Sequence, residues 1–246
     1  MEELSSRAFH RAVAAELLAT TMLLASTLGC VVFAQDGGIT TAKSLLMAIM
    51  NGFNVSVLVF IFGPVSGAFM NPAVTLAFAL VGKISPLRCA VFAVVQVAGA
   101  VCGAALIRSM APAQFDRVGG GANYVGAGAT ATEALGVEFG CTFMLVMTAM
   151  AATDSARAKT NAHIDVIAPL VVGLAVAVAN FIAIPVDSCS INPARSFGVA
   201  VVSKIWSDHW IFWLGPGLGA TSAGICYTYL FQHELFHKRK ALSGGG

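Results

Sequence analysis

Long apolar runs alternate with short polar segments along almost the whole chain. Six runs have about 20 residues, the length that an α-helix needs to cross a lipid bilayer. They predict spanning helices over residues 11–34, 42–63, 86–108, 131–153, 166–184 and 209–231. Two further apolar runs, 71–81 and 192–202, are too short to span, and each begins with Asn-Pro-Ala.

The two short runs predict helices that begin inside the membrane. Asn is a good helix cap, and Pro is favoured at the first helical position. Non-helical backbone at this depth is tolerated only where it is buried in protein or lines a water-filled cavity. Both runs therefore predict re-entrant half-helices beside a pore. Their opening tripeptides are Asn71-Pro72-Ala73 and Asn192-Pro193-Ala194.

The two halves of the chain repeat the same landmarks. Glu16 lies 55 residues before Asn71, and Glu138 lies 54 residues before Asn192. Each half holds three predicted spans, an odd number, so the second half starts on the opposite side of the membrane. The repeats are therefore expected to be inverted, about a two-fold axis in the membrane plane.

This pattern predicts an all-α membrane protein. Six transmembrane helices and two re-entrant half-helices would form an inverted 3+3 repeat. Residues 1–246 are expected to form a single membrane channel domain, with repeats at about 8–115 and 125–232 and a cytoplasmic tail at 233–246.

Composition and charge support the membrane interpretation. Only 11% of the residues are charged, against roughly 25% in soluble domains. The net charge of +2, with no basic cluster outside the tail, predicts no nucleic-acid partner. The six cysteines lie mostly in apolar runs and are expected to be single thiols. No pattern indicates a catalytic triad, a metal cluster or a nucleotide loop, so we predict no enzymatic activity, no metal and no cofactor.

The distribution of Lys and Arg predicts the orientation. Nine of the 14 lie on the side of both termini and five on the other. Because cytoplasmic loops carry the excess of positive residues, both termini are predicted to be cytoplasmic. We expect the plasma membrane to be the location.

Two Asn-Pro-Ala boxes, in SGAFMNPAVT and SCSINPARSFG, within an inverted six-span repeat resemble the aquaporin, or major intrinsic protein, family. The resemblance covers about residues 8–232 and includes AELLATT and HWIFWLGP. It implies the aquaporin-like fold, a passive water channel in a lipid bilayer, and a homotetramer in which each subunit has its own pore.

The boxes suggest how such a pore would exclude protons. Two half-helix N-termini give a positive focus, and the amides of Asn71 and Asn192 offer N–H donors to the oxygen of a passing water molecule. That orientation disfavours proton hopping, and the positive ends repel cations. By resemblance, backbone carbonyls before each box line the path, from Gly67, Ala68, Phe69, Ser188, Cys189 and Ser190.

The repeated carboxylates leave two roles open. Glu16 and Glu138 are either members of a proton relay or acceptors for backbone N–H groups of the re-entrant loops, and their matched spacing favours loop holding. One rival function is an ion or proton-coupled transporter that uses these residues with Asp187. A second is a junction protein with a closed pore.

By resemblance, four residues form the selectivity filter. They are Asn51, Asn180, Cys189 and Arg195. Water-selective relatives usually carry an aromatic residue and a His where this chain has the two Asn. A small polar filter predicts a wider constriction, unless Phe53 or Phe181 fills it.

The filter bears on which solutes pass. Its size predicts some passage of glycerol, urea, ammonia or hydrogen peroxide besides water. In contrast, other positions resemble the water-selective branch of the family, and they are Ser196, Ala200 and the Phe212-Trp213 pair. We therefore predict that water is the principal permeant and that some small neutral solutes also pass. The alternatives are a strictly water-selective channel and a glycerol- or urea-preferring one.

Overall fold

The computed structural model describes residues 2–34, 40–160 and 163–231, and these ranges contain helices and loops without a strand. The predicted tail 233–246 lies outside the described residues. The helices are α1 (Glu2–Ser5), α2 (Arg7–Ala34), α3 (Thr41–Ser66), α4 (Pro72–Leu80), α5 (Pro86–Met110), α6 (Pro112–Arg117), α7 (Ala131–Ala152), α8 (Ser155–Thr160), α9 (Ile164–Asp187), α10 (Pro193–Ser203) and α11 (Ile211–Cys226).

Six of these helices are the predicted spans. In the described ranges, five are long and apolar enough to cross a membrane: α2, α3, α5, α7 and most of α9. The sixth, α11, has 16 residues and continues directly into a π-helical turn at Tyr227–Phe231. Together these two segments cover most of the predicted span 209–231.

The half-helices start where the Asn-Pro-Ala boxes predict. Asn71 and Asn192 are both extended, with φ of −155°, and each side-chain Oδ1 accepts a hydrogen bond from the first turn of its helix. Pro72 and Pro193 occupy the first helical position, where a missing N–H costs nothing. α4 then ends at Leu80, and α10 ends when Lys204 takes a left-handed conformation.

Glycines let the spanning helices pack closely in matched pairs. On α3 a Cβ at Gly52 would lie 2.7 Å from the Gly173 carbonyl oxygen of α9. On α5 a Cβ at Gly99 would lie 2.6 Å from the Leu17 oxygen of α2, and Gly219 of α11 faces Phe139 of α7 in the same manner. Small residues at these crossings allow backbone contact without a hydrophobic driving force.

The paired crossings follow the internal repeat. α2, α3, α4 and α5 of the first half correspond to α7, α9, α10 and α11 of the second. The fold is thus the aquaporin-like inverted repeat, while the domain limits inferred from the sequence stay predictions. All six cysteines are free thiols, as predicted.

Candidate pore

A cavity of about 170 Å³ runs between the two half-helices and is walled by four of the long helices. It meets a second cavity, the vestibule, of about 490 Å³. The residues common to both cavities mark the junction between them, and they are Thr27, Asn51, Asn180 and Arg195. This junction is the candidate filter.

The two box asparagines line the cavity, and each donates a hydrogen bond to the other's loop. Asn71 Nδ2 donates to the Ile191 carbonyl at 2.7 Å, and Asn192 Nδ2 donates to the Met70 carbonyl at 2.8 Å. Each Oδ1 caps its own helix, through the N–H of Ala73 or Ala194. One N–H of each amide therefore remains for the cavity.

The buried Glu16 carboxylate accepts hydrogen bonds from the first re-entrant loop. Phe69 N and Met70 N donate to it at 2.9 and 2.8 Å, and Ser66 Oγ donates at 2.6 Å. Gln96 Nε2 completes the set at 2.8 Å. Four donors around one carboxylate compensate for its loss of hydration.

Glu138 occupies the same place in the second half. Ser190 N and Ile191 N donate to its two oxygens at 2.6 and 2.7 Å. Neither Glu16 nor Glu138 lines the cavity, and both are completely buried. This geometry agrees with the loop-holding role better than with a proton relay along the pore.

The loops before both boxes have the same unusual backbone. Left-handed φ angles occur at Gly67, Ala68 and Met70, and again at Ser188, Cys189 and Ile191. Non-glycine residues pay roughly 1–2 kcal/mol each for this conformation. The hydrogen bonds that Glu16 and Glu138 accept from the loop N–H groups hold it in place.

The residues predicted to supply pore-lining carbonyls lie in two places. Ser188 borders the vestibule. The others border the cavity, and they are Gly67, Ala68, Phe69, Cys189 and Ser190.

The filter asparagines are joined by a hydrogen bond. Asn51 Nδ2 donates to Asn180 Oδ1 at 2.8 Å, and Asn180 Nδ2 donates to the Val176 carbonyl at 2.8 Å. Thr27 Oγ1 donates to Asn51 Oδ1 at 3.0 Å. Each amide keeps one N–H and one oxygen lone pair for a permeant.

Phe53 and Phe181 do not fill the filter. They are 59% and 48% exposed and border neither the cavity nor the vestibule. The junction between cavity and vestibule is therefore bordered by the polar side chains themselves.

Arg195 is the charged residue that borders the cavity in the described part of the chain. Its guanidinium donates from one Nη to Asn123 Oδ1, which also accepts from Ser196 Oγ at 2.7 Å. Asn123 in turn donates to the Asp187 carbonyl at 3.1 Å. The loop after α6 thus orients the filter arginine.

Thr27 and Asn123 were not predicted from the sequence. Thr27 lies 11 residues after Glu16 on the same helix, three turns along, so helix periodicity places it on the face of Glu16, but its repeat counterpart, Ala149, is apolar and gives no signal. Asn123 lies 72 residues before Arg195 in an irregular loop, where no periodic pattern connects the two.

The cavity wall follows the repeat position by position, but its polarity does not. Leu23 and Val55 have the apolar counterparts Leu145 and Val176, offset by 122 and 121 residues. At the filter the polar residues Thr27, Asn51 and Asn180 correspond to Ala149, Val172 and Val59. The pore is therefore polar at the filter and apolar at the positions that the repeat relates to it.

Comparisons with known proteins agree with this architecture. The sequence pattern of the major intrinsic protein family matches residues 3–227. The chain is 40% identical over 237 residues to a probable aquaporin PIP2-8 of Arabidopsis thaliana, covering 94% of this chain and 85% of that one. It is 38% identical to an aquaporin PIP-type of Atriplex canescens, over 94% and 84% of the two chains.

The fold also matches a solved structure, the aquaglyceroporin of Plasmodium falciparum. The TM-score is 0.81 at 18% sequence identity, over 93% of this chain and 99% of that one. This likeness concerns the fold alone. With the family pattern over nearly the whole length and these relatives, the chain belongs to the major intrinsic protein family.

Proposed function

We propose that the protein is a passive membrane channel whose principal permeant is water. The main support is the cavity that begins at the filter and passes both box asparagines. Each of these asparagines has one amide N–H that is free to donate to a molecule in the cavity. The relatives named as aquaporins support the same permeant.

The asparagines and half-helices account for proton exclusion. A water oxygen that accepts from Asn71 and Asn192 points both of its hydrogens away along the file, so it cannot relay a proton. The N-termini of α4 and α10 add positive partial charge at the same level.

The filter adds a second barrier. Arg195 places a fixed positive charge at the junction of cavity and vestibule, where a cation would also lose hydration. The amides of Asn51 and Asn180 replace part of the hydration shell of a neutral permeant.

Proteoliposome shrinkage in an osmotic gradient tests water conduction. The protein should raise the rate well above that of empty liposomes, and a mercurial should inhibit it through Cys189, which borders the cavity. Cys189→Ser should remove the inhibition, and Cys102→Ser, at an exposed thiol, should not. Shrinkage at the empty-liposome rate would instead support a closed junction protein.

We also propose limited passage of small neutral solutes. The filter has no aromatic or His side chain among its predicted members, but the Asn51–Asn180 bond restrains both amides. Urea, glycerol, ammonia and hydrogen peroxide uptake would decide this. Exclusion of every solute would indicate a strictly water-selective channel. Uptake of glycerol or urea at a higher rate than that of water would indicate a glycerol- or urea-preferring channel.

The transporter alternative has less support. Its proposed carboxylates, Glu16, Glu138 and Asp187, do not border the cavity. Ion conductance or pH-driven uptake in a planar bilayer would support the transporter alternative.

We further propose a homotetramer in the plasma membrane with both termini cytoplasmic. Large apolar side chains such as Phe60 and Val166 are exposed on the helices, which suits contact with lipid or with a neighbouring subunit. Glu3 of α1 bonds Ser85 Oγ and Arg88 Nε at 2.6 and 3.0 Å, so the N-terminus and the basic loop after α4 share one side. Protease accessibility of an N-terminal tag in sealed vesicles tests the orientation.

A further inference from the structure

The second half of the molecule has a buried pair of carboxyl groups behind the filter loop. Glu138 is fully buried on α7, and Asp187 at the end of α9 is 1% exposed. The Asp187 carboxyl lies within hydrogen-bonding reach of the Glu138 carboxyl. Both accept from adjacent loop amides, since Cys189 N donates to Asp187 Oδ1 at 2.9 Å and Ser190 N donates to Glu138 Oε1.

The first half shows what this arrangement requires. Ser66, 121 residues before Asp187, accepts from Ala68 N at 3.0 Å and donates its hydroxyl proton to Glu16 Oε1 at 2.6 Å. Asp187 reproduces the acceptor part of this role, toward the amide two residues later. The hydroxyl that would donate to the glutamate is replaced by a second carboxyl group.

Asp187 Oδ2 is consequently a buried atom to which no group in the described ranges donates. If both carboxyl groups were ionised, two like charges would face each other in a buried site. Such pairs avoid double ionisation, because repulsion and lost hydration both act against it. A single proton on Asp187 Oδ2 removes the repulsion and lets this oxygen donate a hydrogen bond to Glu138.

We propose that Glu138 and Asp187 form a buried proton-binding site that holds one proton at neutral pH, with Asp187 Oδ2–H donating to Glu138. The protonated Asp187 then acts as Ser66 does in the other half. One negative charge remains on the pair, and Arg195 balances it.

The surroundings allow the proton to matter for the pore. The charged and titratable groups around the pair are Arg195 of α10, Cys141 of α7 and Cys189 of the loop. Asp187 also borders a cleft of about 530 Å³ between the start of α3 and the end of α9, which gives the proton a route to exchange. Loss of the proton at alkaline pH would place an unbalanced charge behind the strained loop that carries Cys189.

Infrared spectroscopy of the full-length protein in liposomes tests the site directly. The wild type should show the C=O stretching band of a protonated carboxylic acid at neutral pH, and this band should disappear as the pH is raised. Asp187→Asn and Asp187→Ser should both lose it. Asp116→Asn, at an exposed carboxylate, should keep it.

Water permeability gives the second readout. Asn keeps an N–H donor toward Glu138 and Ser restores the first-half chemistry, so both variants should conduct at neutral pH. The wild type should lose permeability at alkaline pH, and the variants should lose less.

Two results would overturn the proposal. One is a wild type without a protonated carboxyl band at neutral pH, which needs no variant to fold. The other is a band that persists in folded Asp187→Asn. Neither depends on whether water is the permeant.

Discussion

At the scale of single residues, the filter is defined by hydrogen bonds between its own members. Asn51 and Asn180 come from α3 and α9, 129 positions apart, and meet across the junction of cavity and vestibule. Thr27 restrains Asn51 from a third helix, α2. We therefore propose that selectivity depends on this small network as well as on side-chain size.

Removing the Asn180 side chain should loosen the filter. In Asn180→Ala, we expect the permeability to urea and glycerol to rise about fivefold relative to water, the factor for one net hydrogen bond of about 1 kcal/mol. Stopped-flow light scattering of proteoliposomes measures both rates. Phe181→Ala, next to it but exposed and outside the cavity, is the control and should leave the ratio unchanged. An unaltered ratio in Asn180→Ala would show that Asn180 does not limit solute passage.

Lys83, in the turn after α4, carries a buried ammonium group. Its Nζ has no hydrogen-bond partner in the described part of the chain and lies 5.2 Å from the ring centroid of Phe78, which borders the cavity. Burial lowers the pKa of Lys83, and the charge of Asp154 offsets part of that effect. The folded state therefore binds this proton less tightly than the unfolded state does.

The lowered pKa predicts the direction in which the stability contribution of Lys83 changes with pH. Below its folded pKa, charged Lys83 destabilises the protein, and the penalty disappears as the pH rises toward the ordinary value of 10.5. Lys83→Met should thus unfold at a higher temperature than the wild type at neutral pH, and the difference should shrink toward pH 10.5. Thermal unfolding in detergent measures it, with the exposed Lys204→Met as control. A difference that grows with pH contradicts this assignment.

At the scale of elements, close helix crossings depend on particular glycines. A Cβ at Gly173 of α9 would overlap Ser56 Oγ and the Gly52 carbonyl of α3. At Gly217 of α11, no atom beyond the neighbouring backbone of the same helix lies within 4 Å of the place where a Cβ would lie. The two positions are both helical glycines and differ in what surrounds them.

This difference predicts opposite effects of one substitution. Gly173→Ala should destabilise by about 1–3 kcal/mol, because α3 and α9 must separate. Gly217→Ala should be neutral or stabilise by up to about 1 kcal/mol, because Ala is the better helix former. Thermal unfolding of the detergent-solubilised variants compares them, and equal shifts would show that the α3–α9 crossing tolerates the methyl group.

The sequence allowed the elements to be predicted better than the contacts between them. Apolar runs and the Asn-Pro-Ala boxes are local signals, so predicted half-helices at 71–81 and 192–202 match α4 and α10 within two residues at each end. The Asn51–Asn180 bond and the Asn123 contact with Arg195 join distant segments through side-chain geometry, which no local pattern encodes. The small helices α1, α6 and α8 were also missed, because each has only 4 to 6 residues.

At the scale of the whole molecule, the repeat gives two similar half-pores with different surfaces. The loops, boxes and carboxylates are equivalent, yet the filter triad of Thr27, Asn51 and Asn180 has apolar counterparts at Ala149, Val172 and Val59. We propose that a polar filter at one end and an apolar passage at the other let water be selected once and then move with few hydrogen bonds. Conduction requires binding that is strong enough to admit the permeant and weak enough to release it.

This difference between the two ends predicts that a pore with polar residues at both ends conducts water more slowly. In Val59→Asn/Val172→Asn, a second amide pair would form where the repeat places it and would hold water at both ends. Water permeability should fall about fivefold, corresponding to about 1 kcal/mol of added binding. The matched control is Val59→Ala/Val172→Ala, which changes side-chain size without adding polar groups and should not lower the rate. Unchanged conduction in the folded double-Asn channel would mean that the apolar half does not set the speed of transit, and that the filter alone limits it.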